Sequence, residues 1–193
     1  MTEQVVLIGA DGQPAGTADK AAVHTTDTPL HLAFSAWVLR GREVLITRRA
    51  LTKKTWPGVW TNAFCGHPGP GEDMTAAVRR RGAFELGFDH FKPSPEHQGP
   101  ELSGTLGEPE LVVPDFSYRA VDSSGIVENE ICPVYLCRVA PGVEPRPNPE
   151  EVDSYLWVPA AALLSAVSAT PGVFSPWMVW ELEHPQLQQR VLG

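Results

Sequence analysis

The sequence predicts an α/β fold of the α+β kind: a mixed β-sheet sandwiched between helices, in a single domain over residues 1–193. Three observations predict it. Strand-like and helix-like segments are interspersed along the chain, as in a sheet covered by helices. A chain of 193 residues suits one hydrophobic core. Its composition, 42 % hydrophobic and 20 % charged, is that of a globular chain rather than a disordered one.

The elements follow in order. Residues 4–8 form a short apolar strand, with Asp11-Gly12 as its turn. Residues 33–39 and 43–48 read as a hairpin about Gly41-Arg42. Residues 73–86 are good helix formers bounded by Gly71 and Gly87, which predicts a helix with a glycine C-cap, although Gly82 weakens it. Residues 89–114 are rich in Pro and Gly without clean periodicity; they predict a long surface loop, a tolerated insertion with a short strand at 110–113. Residues 126–139 are the strongest strand, and Pro133 within it predicts an edge or a bulge. A stiff proline-rich connection follows at 141–149, then a strand at 154–158 and a helix at 160–167. Ser175-Pro176 starts a last helix over 177–184.

The formal net charge is −8. An acidic chain does not wrap nucleic acid or sit on an anionic membrane. No apolar run is long enough to span a bilayer, and the first residues lack the basic region and cleavage site of a secretory signal. The expectation is a cytoplasmic protein. The three cysteines fit no disulfide scaffold. Cys132 and Cys137 lie in an apolar strand and read as small core residues.

The polar pattern carries the chemistry. His24 and His31 flank a segment containing Pro29, so both lie on irregular or extended chain. Cys65 and His67 are two apart; on extended chain they share a face. Glu128 and Glu130 are also two apart on the best strand, so both carboxylates point the same way. Two like charges on one sheet face repel unless a cation lies between them. Three imidazoles and two carboxylates form a mixed site suited to Mn²⁺, Mg²⁺ or Zn²⁺ in five- or six-fold coordination.

Residues 66–88 resemble a degenerate Nudix box, with Gly66, Glu72, Arg80, Glu85, Gly87 and Phe88 at the expected offsets. Arg81 and Phe84 stand where the box has further glutamates, which argues against the water-activating chemistry of Nudix hydrolases. Glu85 is left to hold one Mg²⁺ on a diphosphate. It sits in the last helical turn, where the helix dipole disfavours an anion and a cation relieves it.

The stretches HTTDTPLHLAFSAW (24–37), TRRALTKKTWPGVWTNAFCGHP (47–68), YRA (118–120), SGIVENEICPV (124–134) and FSPWM (174–178) resemble the type I isopentenyl-diphosphate isomerases. The resemblance runs from about residue 6 to about residue 180, interrupted by the 89–114 loop. It implies a Nudix fold and the isomerisation of isopentenyl diphosphate to dimethylallyl diphosphate in isoprenoid biosynthesis. It implies Cys65 and Glu130 as the acid–base pair, Tyr118 as an aid to Glu130, and Trp177 as the π face for a carbocation. His24, His31, His67, Glu128 and Glu130 carry over as metal ligands, with Glu85 on Mg²⁺. Lys20, Arg49, Lys53 and Arg81 carry over as diphosphate contacts. Arg48, Arg49, Lys53 and Lys54 form a cationic cluster in an otherwise acidic chain, while Trp37, Trp56 and Trp60 read as core or pocket wall. The implied partner is a small diphosphate, and the implied assembly a monomer or weak homodimer.

Overall fold

The structure, a computed structural model, describes residues 3–88 and 105–193. The chain opens with a hairpin of β1 (Gln4–Ile8) and β2 (Pro14–Asp19), then a single-turn helix α1 (Lys20–Val23). There follow β3 (His31–Leu32), β4 (Phe34–Arg40), β5 (Glu43–Arg49), β6 (Trp60–Thr61) and β7 (Phe64–Gly66). Helix α2 (Met74–Leu86) comes next, then β8 (Glu110–Val113), β9 (Ser117–Val121), β10 (Val127–Ile131) and β11 (Val134–Arg138). The chain closes with β12 (Val152–Pro159), α3 (Ala160–Ala169), α4 (Pro176–Glu181) and α5 (Pro185–Leu192). No helix of the described residues is long and apolar enough to cross a membrane.

The expected mixed sheet between helices is present, but the strands divide between two mixed sheets. One runs β2-β1-β3-β10-β9. The other runs β12-β5-β4-β11-β8, with β6 on β5 and β7 on β4. The second sheet carries the core on both faces. Phe34, Ala36 and Val38 of β4 face α2 with Phe64, Val78 and Leu86. Trp37 and Leu39, one residue out of phase, face Leu163, Val167, Met178 and Leu187 of α3, α4 and α5. This is the period-two alternation of a strand buried on both sides.

The strand expected over 126–139 is two strands in different sheets. Pro133 has no N–H to continue a ladder, and the chain changes sheet there. Chain 31–40 makes the same passage beside it. β3 pairs parallel with β10 and β4 parallel with β11. Between the pairs, Ala33 N–H donates to the Ile131 carbonyl (2.9 Å) and Ser35 N–H to the Pro133 carbonyl (3.1 Å). Two parallel strands thus cross the seam between the sheets side by side.

Other elements differ in detail. β2, PAGTAD, lacks hydrophobic alternation and gives no strand signal in sequence. The helix expected over 177–184 ends at Glu181, and Pro185 opens the separate helix α5. The loop expected over 89–114 lies outside the described residues up to 104; its strand at 110–113 is β8. Cys132 and Cys137 are buried core residues.

Helix α2 ends at the glycine cap its sequence predicts and starts one residue later than expected, with Asp73 as its N-cap. Asp73 Oδ1 accepts Ala76 N–H at 3.0 Å, and Gly87 closes the helix with φ 70°. Gly82, unfavourable for a helix, is explained by packing: a Cβ there would lie 3.1 Å from Phe64 Cζ. At Gly87 a Cβ would meet the Arg146 carbonyl oxygen at 3.0 Å, and the φ itself disfavours an L side chain. Gly87→Ala is expected to lower stability by about 1–2 kcal/mol, read from the midpoint of urea unfolding.

Candidate active site

The seam builds the site. In the register of the first sheet, Glu130 of β10 lies opposite His31 of β3 on one side and Tyr118 of β9 on the other. The segment between α1 and β3 is pinned to β10: Val127 N–H donates to the Thr25 carbonyl (2.8 Å), and Asn129 Nδ2 to the Thr28 carbonyl (3.1 Å). That brings His24 to the same place. In the second sheet β7 delivers Cys65 and, one residue past its end, His67. His24, Cys65, His67, Tyr118 and Glu130 line one cleft of about 480 Å³, together with Glu128, Trp177 and five cations.

His24, His31, His67 and Glu130 each place one ligand atom within 4.8 Å of the others. His31 Nδ1–H donates to the Pro29 carbonyl (2.9 Å), which fixes the tautomer and leaves Nε2 facing His67 Nε2 at 3.2 Å and Glu130 Oε1 at 3.5 Å. His67 Nε2 lies 3.1 Å from the same Oε1. His67 Nδ1 is buried without a hydrogen-bond partner, and so is His24 Nε2, whose close approach to Glu128 is not aligned as a hydrogen bond. Nitrogens converging on one carboxylate, with buried ring nitrogens left over, fit a divalent cation. Glu128 stands at the edge of this group. Its Oε1 accepts Thr55 Oγ1–H (2.7 Å), and its Oε2 is 2.9 Å from His24 Nε2.

Electrostatics follow from burial and these contacts. Burial pushes Glu130 upward, but its close contacts with the His31 and His67 rings outweigh it and hold the carboxyl well below its ordinary range. His67 is lowered, chiefly by burial; His31 is raised because its bond to Glu130 overcomes burial. Tyr118 Oη–H donates to Glu130 Oε2 at 2.9 Å, and burial with the neighbouring carboxylates keeps the phenol protonated.

Cys65 is held from behind. Its Sγ lies 3.7 Å from Ser35 Oγ and from Asn62 Oδ1, and Asn62 Nδ2 is 3.5 Å away. Asn62 Oδ1 also accepts Trp177 Nε1–H (3.1 Å), so one amide orients both thiol and indole. Burial, with Glu181 next, pushes the thiol up, and it stays protonated at neutral pH. Trp177 is buried between Trp56, edge-on at 5.3 Å, and Tyr118 at 5.8 Å.

Lys20, Arg49, Lys53 and Arg81 all reach the cleft, as does Lys54. Arg48 does not: it pairs with Asp153 on the other side of β5. Arg49 spans the turn before β6 by bonding the Thr55 and Trp56 carbonyls. Arg81 lies between Glu85 (2.5 Å) and Glu151 (3.2 Å), and Glu151 also bonds Lys53. Glu85 does not line the main cleft. It lines a small cavity alongside, which shares Arg49, Lys53 and Cys65 with the cleft.

Residues the sequence reading passed over include Asn62, Ser35, Thr55, Glu151 and Glu181. Asn62 stands in the quoted TNAFCGHP stretch, three before Cys65. Glu181 carried a signal as well, a lone acid ending an apolar helical run.

A buried carboxylate, a buried indole and a half-buried thiol thus surround a His/Glu cluster, with α2, the helix of the Nudix-like box, beside them. The NUDIX domain family matches residues 29–178, and the chain belongs to it. Two solved structures share the fold: DR0079 from Deinococcus radiodurans (16 % identity, TM-score 0.57, 86 % of this chain and 90 % of that one) and a MutT protein from Methanosarcina mazei Go1 (14 %, 0.54, 84 % and 93 %). Isopentenyl-diphosphate Delta-isomerase of Corynebacterium efficiens is 53 % identical over 191 residues, covering 98 % of this chain and 94 % of that one. The protein of the same name from Klebsiella pneumoniae subsp. pneumoniae is 50 % identical over 188 residues, 97 % of this chain and 92 % of that one. Within the Nudix family, the chain belongs with the isopentenyl-diphosphate Delta-isomerases.

Glu181 yields a stability prediction. Burial raises its carboxyl from 4.5 to about 8 in the fold. Between those values the folded chain holds a proton that the unfolded chain has lost, so stability falls as pH rises through the window. Glu181→Gln is expected to remove up to about 1 kcal/mol per pH unit of that slope, measured by urea unfolding from pH 5 to pH 8.

Proposed function

We propose that this chain isomerises isopentenyl diphosphate to dimethylallyl diphosphate in isoprenoid biosynthesis, working in the cytoplasm as a single domain, as a monomer or weak homodimer. The observation that supports this reading best is one cleft lined by a protonated thiol, an ionised carboxylate bonded to a tyrosine, an indole face and a cationic rim. Likeness to the named isomerases over nearly the full chain supports the substrate.

The reaction adds a proton to the terminal methylene of the substrate and removes one from its allylic CH₂. One group gives a proton and another takes one, so no proton is consumed overall. Cys65 and Glu130 are the pair, and Tyr118 steadies Glu130 and passes protons to it. Between the two transfers the substrate is a tertiary carbocation. The Trp177 ring stabilises it by roughly 2 kcal/mol or more in a dry site. Lys20, Arg49, Lys53 and Arg81 grip the diphosphate, the arginines by bidentate bonding.

His24, His31, His67 and Glu130, with Glu128 at the edge, fit Mn²⁺, Zn²⁺ or Mg²⁺. When bound, the metal supplies positive charge that fixes Glu130 and tunes its affinity for a proton. Glu85 serves a Mg²⁺ that arrives with the diphosphate. Hydrolysis is disfavoured because Arg81, held by Glu85 and Glu151, places a guanidinium where the box of a hydrolase has a metal-binding carboxylate.

NMR of isopentenyl diphosphate with the protein, Mg²⁺ and Mn²⁺ in D₂O is expected to show dimethylallyl diphosphate carrying deuterium, with no phosphate release. Phosphate release would instead mark a hydrolase. Cys65→Ala is expected to cut kcat by at least ~10²-fold in a folded protein, as for loss of a general acid or base. Mn²⁺ or Zn²⁺ at a hundredfold excess over Kd is expected to raise stability by about 3 kcal/mol, seen as a higher Tm that His67→Ala abolishes.

A further inference from the structure

Glu181 is a buried acid that this reaction leaves unused. It ends α4 and is 0 % exposed. Its Oε2 accepts Trp37 Nε1–H at 2.7 Å, while its Oε1 is buried without a hydrogen-bond partner. The Ser35 hydroxyl faces the same carboxyl. Ser35 is the cross-strand partner of Cys65 between β4 and β7, and its Oγ lies 3.7 Å from the sulfur. A line therefore runs from Glu181 through Ser35 to Cys65.

The surroundings oppose a negative charge. The titratable groups facing Glu181 are Cys65 from β7, Glu130 from β10 and Cys132 from the seam, all of them acids. Among the described residues no cation pairs with it. A buried carboxylate with no cation, held only by the Trp37 N–H and faced by one hydroxyl, is costly, and a neutral carboxyl much less so. Ser35 also has a single hydroxyl hydrogen, and its oxygen already accepts Asn62 Nδ2–H at 2.9 Å. Ser35 Oγ also accepts the Cys65 Sγ–H at 3.7 Å, so its own hydrogen is left to Glu181, and a charge on Glu181 would stand one hydroxyl away from the thiol and oppose the release of its proton.

We propose that Glu181 works as a neutral carboxylic acid behind Cys65, a positioning residue that holds the thiol through Ser35, and that loss of its proton to solvent closes the alkaline side of turnover. Burial raises the carboxyl to about 8, which puts the change within reach of an ordinary pH profile.

The turnover half of the proposal rests on the isomerase reading; the neutral acid does not. The test uses the metal-loaded protein and its Glu181→Gln variant. From pH 7 to pH 9 the parent is expected to lose about tenfold in kcat, following the neutral fraction of a group of that pKa, with the KM for isopentenyl diphosphate unchanged. In the variant the ratio of kcat at the two pH values is expected to be flat. Infrared spectra of the parent are expected to show a protonated-carboxyl band at pH 7 that disappears by pH 9 and is missing from the variant. An alkaline fall of the same size in both proteins, or no such band at pH 7, overturns the proposal. If the variant does not fold, the parent decides alone: the band and kcat must be lost with one midpoint, and separate midpoints overturn it. A parent that shows the band but forms no dimethylallyl product overturns the reaction and leaves the neutral acid standing.

Discussion

The site depends on two parallel strands that cross from one sheet to the other in register. The hydrogen bonds from Ala33 to Ile131 and from Ser35 to Pro133 hold that crossing. Upstream of it, His31 and Glu130 are neighbours in the first sheet. Downstream, Ser35 meets Cys65 in the second. His31 and Glu130 therefore belong to one sheet and the thiol, with His67, to the other, yet they are tied through a few residues of continuous backbone. A slip of one residue at the seam would turn His31 and Glu130 to the opposite face and dissolve the cluster.

Charge is distributed around this seam with few idle groups. Glu130 is kept ionised by two imidazoles, Tyr118 and Cys65 are kept protonated by burial, and the cations are parked on partners at the rim. Lys20 rests on Glu3, and Lys53 and Arg81 share Glu151. These pairings hold the cations in place around the cleft.

Much of this was legible in the sequence wherever spacing alone decides geometry. The two-residue steps Cys65/His67 and Glu128/Glu130 put each pair on one face, and in the fold all four residues line the cleft. The glycine cap marked the end of α2, and three of the four cationic-cluster residues, Arg49, Lys53 and Lys54, line the cleft. What was not legible depends on contacts between distant segments. Pro133 announced an interruption but not a change of sheet. β2 has no hydrophobic period to betray it. Nothing local distinguishes Arg48, turned to Asp153, from Arg49, turned to the cleft, except the alternation of a strand whose register must first be known. Glu128 shares a strand face with Glu130 but not its place among the imidazoles, because Thr55 holds one of its oxygens. Glu181 is polar in a helix whose other buried positions are apolar, and only the fold reveals that it backs onto the thiol.

Arg81 has a consequence for how such a protein lives with its supply of ions. A carboxylate at that position of the box would depend on a dissolved cation, lost whenever the metal is scarce or chelated. The guanidinium is written into the chain and is present in every folded molecule. The positive charge at that place in the cleft is therefore inherited rather than acquired from the surroundings.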